Sequence, residues 1–258
     1  MVEVISLVKE YGTFRATDGV SFTVSPGEIV GLLGPNGAGK TTVLRCIAGI
    51  LRPTSGAVRI NGYDILSHQA EAKARMAYVP EVPALYELLT VREHLRFVAM
   101  CYDRLDLFEQ SASELLAKYN LVEKQDAFVA TLSKGMKQKL AIACAFIHDA
   151  NVLLLDEPLI GIDPRGAHEF KQELMKARDG GCAILISTHL LDTAERFCDR
   201  VVILARGKNI AEGTVQSLRQ HANLEGASLE DVFLRLTEEQ AEVRFDLGDS
   251  GEPPVAKG

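Results

Sequence analysis

The apolar positions along the chain switch between two periods. Val20, Phe22 and Val24 alternate with Ser21 and Thr23, the period-two pattern of a half-buried strand. A shorter extended run of Val2, Val4 and Leu7 precedes it, and Pro26-Gly27 marks a turn after it. Residues 28–33 form a compact apolar strand that runs into glycine-rich sequence, and residues 41–50 read as the helix that follows. Further strands are expected at 57–60 and 76–79, with Asn61-Gly62 as a turn between elements. From about residue 85 to 147 the period becomes helical. Val91, Leu95, Val98 and Tyr102 recur at helical spacing, and so do Phe108, Leu115, Leu116 and Tyr119. Strand-type sequence returns at 152–155, 183–187 and 201–204, separated by helices over 164–177 and 190–198. Such alternation predicts an α/β fold, a mostly parallel sheet flanked by helices with a helical lobe inserted. Residues 228–236 read as a short amphipathic helix, after which 238–258 turn acidic and rich in Pro and Gly, the composition of a disordered tail.

Composition changes this picture little. The chain has 258 residues, 47% hydrophobic and 24% charged, enough for a substantial core and one large domain. Its formal net charge of -7 argues against nucleic acid as a partner, since a duplex binder carries a basic face. The five cysteines are Cys46, Cys101, Cys144, Cys182 and Cys198, with no CxxC pair among them, so reduced thiols in a cytosolic protein are expected. The N-terminus has an acid at residue 3 and no hydrophobic signal core. The longest apolar stretches, 140–147 and 152–155, fall far short of the roughly 20 residues that cross a bilayer. Any membrane role would therefore run through a partner.

Candidate chemistry begins where the apolar strand at 28–33 ends. Gly34-Pro35-Asn36-Gly37-Ala38-Gly39-Lys40-Thr41, followed by Thr42, matches the phosphate-binding loop pattern in full. Glycines allow a tight backbone whose N–H groups converge on phosphate oxygens, and the helix start adds the positive end of its dipole. Lys40 suits the β- and γ-phosphates, and the Thr41 hydroxyl suits Mg²⁺. An ordinary Gly-rich turn would need neither the Lys-Thr pair nor the apolar strand leading in. Alone, the loop defines only a superfamily of kinases, GTPases and ATPases.

A second strand, 152–155, delivers Asp156 and Glu157 at its C-terminal end, where open α/β sheets bind ligands. Asp156 suits Mg²⁺ coordination, and Glu157, pointing the other way, suits polarisation of an attacking water. Asp163-Pro164 reads as a helix N-cap, which leaves room for a further role at a subunit contact. His189, at the end of the strand at 183–187, could be a packing residue or a hydrogen-bond donor to a γ-phosphate. Leu132-Ser133-Lys134-Gly135-Met136 opens another helix with Ser133 as its cap. Simple capping and a second anion site fit it equally well on local grounds.

Taken together, these residues resemble the ABC ATPase family, and the resemblance spans residues 2–237. Residues 34–41 resemble its Walker A motif, 152–157 its Walker B motif and 132–136 its LSGGQ signature. Asp163 resembles the D-loop aspartate, His189 the switch histidine, and Tyr11 the aromatic that stacks on adenine. Two departures stand out. Lys134 and Met136 replace the usual glycine and glutamine of the signature, whereas Ser133 and Gly135 are retained. Glu81, in Tyr78-Val79-Pro80-Glu81, replaces the Q-loop glutamine; a carboxylate there can still bind Mg²⁺. The stretches 78–85, 133–139 and 188–198 look most like bacterial Ecs-type, exporter-class ATPases.

The resemblance implies a P-loop NTPase of ABC type over 1–237, with N-terminal antiparallel strands and the lobe at about 85–147, and with 238–258 outside it. It implies ATP and Mg²⁺ as ligands. Two such subunits, alike or related, would sandwich ATP between the P-loop of one and Ser133 and Gly135 of the other. A separate membrane-spanning subunit would dock a cytoplasmic helix in an apolar groove of the lobe, which puts this chain at the cytoplasmic face of the membrane and favours export. A soluble ABC ATPase of an assembly system, such as iron–sulphur cluster biogenesis, is the competing expectation.

Overall fold

The computed structural model describes residues 1–246, with side chains through Thr237. Strands β1 (Val2–Tyr11) and β2 (Phe14–Val24) form a long antiparallel hairpin, and β3 (Ile29–Leu33) is buried along its whole length. Helix α1 (Lys40–Ile47) follows the phosphate-type loop directly. Strands β4 (Ser55–Ile60) and β5 (Tyr63–Asp64) turn at Asn61-Gly62, both at positive φ, as that pair favours. A short α2 (Gln69–Lys73) leads to β6 (Met76–Val79).

The lobe then holds α3 (Val91–Cys101), α4 (Phe108–Lys118) and α5 (Lys134–His148), joined by 3₁₀ turns. Helix α3 starts on a full capping box between Thr90 and Glu93, which satisfies two otherwise orphaned N–H groups. The core resumes with β7 (Val152–Asp156), α6 (Pro164–Asp179), β8 (Ala183–Ser187), α7 (Leu191–Phe197) and β9 (Arg200–Ala205). Strand β10 (Lys208–Gly213), α8 (Val215–His221) and α9 (Leu229–Asp246) complete the described residues.

Two sheets result. One is antiparallel, in the order β2-β1-β4-β5, and the other runs β10-β9-β3-β8-β7-β6 with only β10 antiparallel. Helices cover both faces of the larger sheet, so β3, β7 and β8 read as unbroken apolar runs rather than alternating ones. On one face, α1 and the antiparallel sheet pack on Val30, Leu32, Val152, Leu154 and Leu185. On the other, the lobe and α6 pack on Ile29, Val79, Leu153, Leu155 and Ile186. Consecutive residues of each strand thus serve opposite cores.

Four elements escape the sequence pattern. Strands β5 and β10 and helices α2 and α8 are short and at least partly exposed, and carry too few apolar residues for a period to emerge. The last helix also differs from expectation. Helix α9 continues to Asp246, through the first part of the stretch read as a disordered tail, because Leu229, Val232 and Leu236 anchor it against α7, α8 and β10. Residues 247–258, the rest of that stretch, lie outside the described residues.

Candidate active site

The C-terminal ends of β3, β7 and β8 converge on a cleft of about 620 Å³. Gly34, Pro35, Asn36, Gly37, Ala38, Gly39, Lys40, Thr41 and Thr42 line one side of it. Glycine is required at Gly39: φ is +105°, and a β-carbon would lie 2.6 Å from the Ala16 carbonyl oxygen. Gly34 is equally confined, since a β-carbon there would meet the Leu204 carbonyl oxygen at 2.4 Å. The loop is therefore wedged between β2 and the β9–β10 turn and presents its inner backbone to the cleft.

Lys40 is buried, and its ammonium donates to the carbonyl oxygens of Gly34 at 2.6 Å and Pro35 at 3.3 Å. Burial pushes its pKa down, while the carboxylates of Glu157, Asp156 and Glu81 oppose that and favour the charged form. Two backbone carbonyls thus hold the cation where the loop closes.

Asp156 is almost fully buried and fully engaged. Its Oδ1 accepts from the Ser187 hydroxyl at 2.6 Å and from the Thr41 hydroxyl at 3.3 Å, and its Oδ2 accepts from the Tyr78 hydroxyl at 3.4 Å. Glu157 turns out of the strand with φ at +46°, an uncommon conformation for a glutamate. Such a backbone costs about 1–3 kcal/mol unless its surroundings fix it. Here the Glu157 N–H donates to both the Ser187 carbonyl at 3.2 Å and the Ser187 hydroxyl at 3.1 Å. The turn aims the carboxylate into the cleft, where Oε2 lies 3.0 Å from His189 Nδ1. A carboxylate paired with an imidazole at an open cleft can order a water and accept its proton.

The structure brings Glu81, Glu157 and His189 to the cleft beside the loop, and Tyr11 stands at its mouth. Phe14, which the sequence reading omits, stands with it. The two-residue turn at Gly12-Thr13 pairs Tyr11 with Phe14 across the hairpin, and both rings are exposed. An aromatic on each side of a Gly-containing turn is the signal that could have revealed it.

Ser133, Gly135 and Asp163 are not in this cleft; they gather elsewhere. Ser133 caps α5 by accepting from the Met136 N–H at 3.3 Å. Gly135 packs so closely that a β-carbon would lie 2.5 Å from the Gly161 carbonyl oxygen. Asp163 caps α6 through the Gly166 N–H at 2.9 Å and pairs with Lys139 of α5 at 2.6 Å. Residues 157–163 thereby connect the two places, since Ile160 still lines the cleft.

A second depression, about 510 Å³, runs along the edge strand β6 between α1 and the lobe. Pro80, Val82, Leu85, Tyr86, Phe97 and Val98 make it apolar, and Arg45 and Tyr78 stand on its wall. Among the described residues, no helix is long and apolar enough to cross a membrane.

Comparison with known proteins agrees with this geometry. Residues 17–160 match the family described as ABC transporter. The ABC-type transporter ATP-binding protein EcsA of Bacillus subtilis is 40% identical over 223 residues, 86% of this chain and 90% of the relative. The Nod factor export ATP-binding protein I of Paraburkholderia xenovorans is 40% identical over 224 residues, 84% of this chain and 72% of its own. A dimeric ATP-binding cassette solved in a post-hydrolysis state with ADP and Pi superimposes with a TM-score of 0.77 at 25% identity, covering 83% of this chain and 98% of that one. Sequence, sheet order and cleft agree, and this chain belongs to the ATP-binding subunits of the ABC transporter family, a family of ATP hydrolases.

Proposed function

We propose that this chain binds Mg·ATP in the cleft, hydrolyses it as one half of a dimer, and drives export through a separate membrane-spanning subunit. The contact of Glu157 with His189, beside Lys40 and the loop, carries the reading. Glu157 polarises the attacking water, His189 contacts the γ-phosphate, and Lys40 with the loop amides binds the β- and γ-phosphates. Tyr11 meets the adenine ring.

The donors available suit Mg²⁺. Thr41 Oγ1 and Asp156 Oδ1 are hard oxygens 3.3 Å apart, and Glu81 lines the same cleft. A hydroxyl and one or two carboxylates, completed by phosphate oxygens, form the donor set this ion favours. When bound, Mg²⁺ offsets the charge of the phosphates.

Ser133, which caps α5, and Gly135 in its first turn, both outside the cleft, would close over ATP held by a second subunit, with Asp163 at the contact. The dimeric cassette among the similar structures supports that arrangement. The relative named for Nod factor export supports the direction, and the apolar groove beside β6 supports a membrane partner that keeps the chain at the cytoplasmic face. Co-purification with soluble assembly proteins alone would sink the transport reading.

Replacing Glu157 by Gln should leave ATP binding intact and lower turnover by roughly 10²–10⁴-fold, the usual worth of a positioned base. A steady-state ATPase assay beside a nucleotide titration decides it. Near-normal turnover would remove Glu157 from the role.

A further inference from the structure

The hairpin of β1 and β2 ends beside the nucleotide cleft, and the two rings at its tip are held differently. Tyr11 pairs with Phe14 across the turn, so their side chains leave the hairpin on one face, and both line the cleft. The Lys9 ammonium lies 5.2 Å from the Tyr11 ring centroid and itself donates to the Arg52 carbonyl oxygen at 2.9 Å. Phe14 has no such partner. Among the described residues no ring and no cation lies against it, and it is 63% exposed against 47% for Tyr11. Ala16, two residues on, also lines the cleft, where it offers a methyl group, and its carbonyl oxygen is wedged against Gly39. Tyr11, Phe14 and Ala16 thus make an apolar strip beside the loop, whereas Lys40, Thr41, Glu81, Glu157 and His189 bring the charged and hydroxyl groups of the cleft. A flat group with an apolar face, joined to a chain of phosphates, matches that division.

We propose that Phe14 is a second aromatic contact for the base of the bound nucleotide, meeting it beside Tyr11. The inference rests on the reading that Mg·ATP occupies the cleft with its adenine at Tyr11. A phenylalanine left in water at a hairpin tip forgoes the burial its ring could gain, and a base laid against it recovers that burial. Stacking uses the π-face of the base and needs no hydrogen bond, which suits a strip with so few polar atoms. The contribution of Phe14 depends on the base alone, so it vanishes for a ligand made only of phosphates.

The chain contains no tryptophan, so Phe14→Trp places a single indole at the hairpin tip. Titrated with Mg·ATP, the full chain carrying this change should lose fluorescence as the base covers the indole. Inorganic triphosphate with Mg²⁺ should bind the loop and leave the emission unchanged. In calorimetric titrations, Phe14→Ala should weaken Mg·ATP roughly tenfold and leave inorganic triphosphate unaffected. The ring is exposed, so neither change removes a core contact. Emission that ignores bound Mg·ATP, or a Phe14→Ala chain that binds Mg·ATP as tightly as the wild type, would overturn the proposal. Equal losses for Mg·ATP and triphosphate would overturn it too, because they would trace to the contact of Ala16 with Gly39. Tyr11→Ala tests the reading underneath. Weakened Mg·ATP with unchanged triphosphate supports the base at Tyr11, and Phe14 can still fail on its own. Mg·ATP affinity untouched by both Tyr11→Ala and Phe14→Ala would put the base elsewhere, and a wild-type chain that takes up neither ligand would remove the site itself.

Discussion

Asp163 shows how a single residue holds two helices together outside the cleft. It caps α6 and pairs with Lys139 of α5, and the lysine, seconded by the Gly166 N–H, pulls its carboxyl down to about 2 from an ordinary 3.8. The sign is that of a depressed acid. The native contact favours folding at pH values above about 3.8, and that contribution disappears as pH falls toward about 2. Because the side chain is exposed, the effect belongs to local geometry more than to global stability. A carbon-detected NMR titration should place the Asp163 midpoint near the lower value, and Lys139→Ala should move it upward toward 3.8. An unchanged midpoint would assign the shift to the helix cap alone.

Gly135 sets the approach of α5 to the loop before α6. A β-carbon there meets the Gly161 carbonyl oxygen at 2.5 Å, a backbone atom that can yield only if the whole 157–163 segment moves. Gly135→Ala should therefore destabilise the chain by about 1–3 kcal/mol, in the range of an overpacked site. Urea denaturation measures this directly, and an unshifted midpoint would mean that the loop gives way freely. Position 135 was legible in the sequence, but as part of a motif; its tight contact with Gly161 was not. The same division runs through the fold. The phosphate loop, the acid pair ending β7 and the caps of α5 and α6 are local patterns a few residues long, and each appears where the sequence indicates. The hydroxyls of Ser187 and Tyr78 on Asp156 are not local, because they depend on which strands become neighbours and in what register. Helix α9 fails for a related reason: the elements that hold Leu229, Val232 and Leu236 are α7, α8 and β10, which the local sequence does not name as neighbours.

Across the whole molecule, burial sorts the thiols. All five cysteines are free, and Cys101, at the end of α3, is exposed while the other four are buried or partly buried. Burial pushes Cys46 and Cys182 up to about 11 and Cys144 and Cys198 up to about 12, so their thiolate fraction near neutral pH is very small. A thiol reagent at pH 8 should modify one cysteine quickly in the native protein and all five after denaturation, with peptide mapping assigning the fast site to Cys101. Rapid modification of Cys144 would show that the groove beside β6 opens to its floor.

The placement of Ser133 away from the cleft that holds Lys40 has a genetic consequence. If each working site takes its loop from one copy and its capped helix from the other, damage to either half can be repaired by a copy damaged in the other half. Lys40→Ala and Ser133→Arg should each be inactive alone. Mixed, they should regain ATPase activity, because the Ser133→Arg chain offers an intact loop and the Lys40→Ala chain an intact helix. Two null alleles would then complement within one cell, whereas two alleles at the same half would not. An ATPase assay on refolded mixtures separates these outcomes, and failure of the mixed sample would mean that each chain works with its own residues alone.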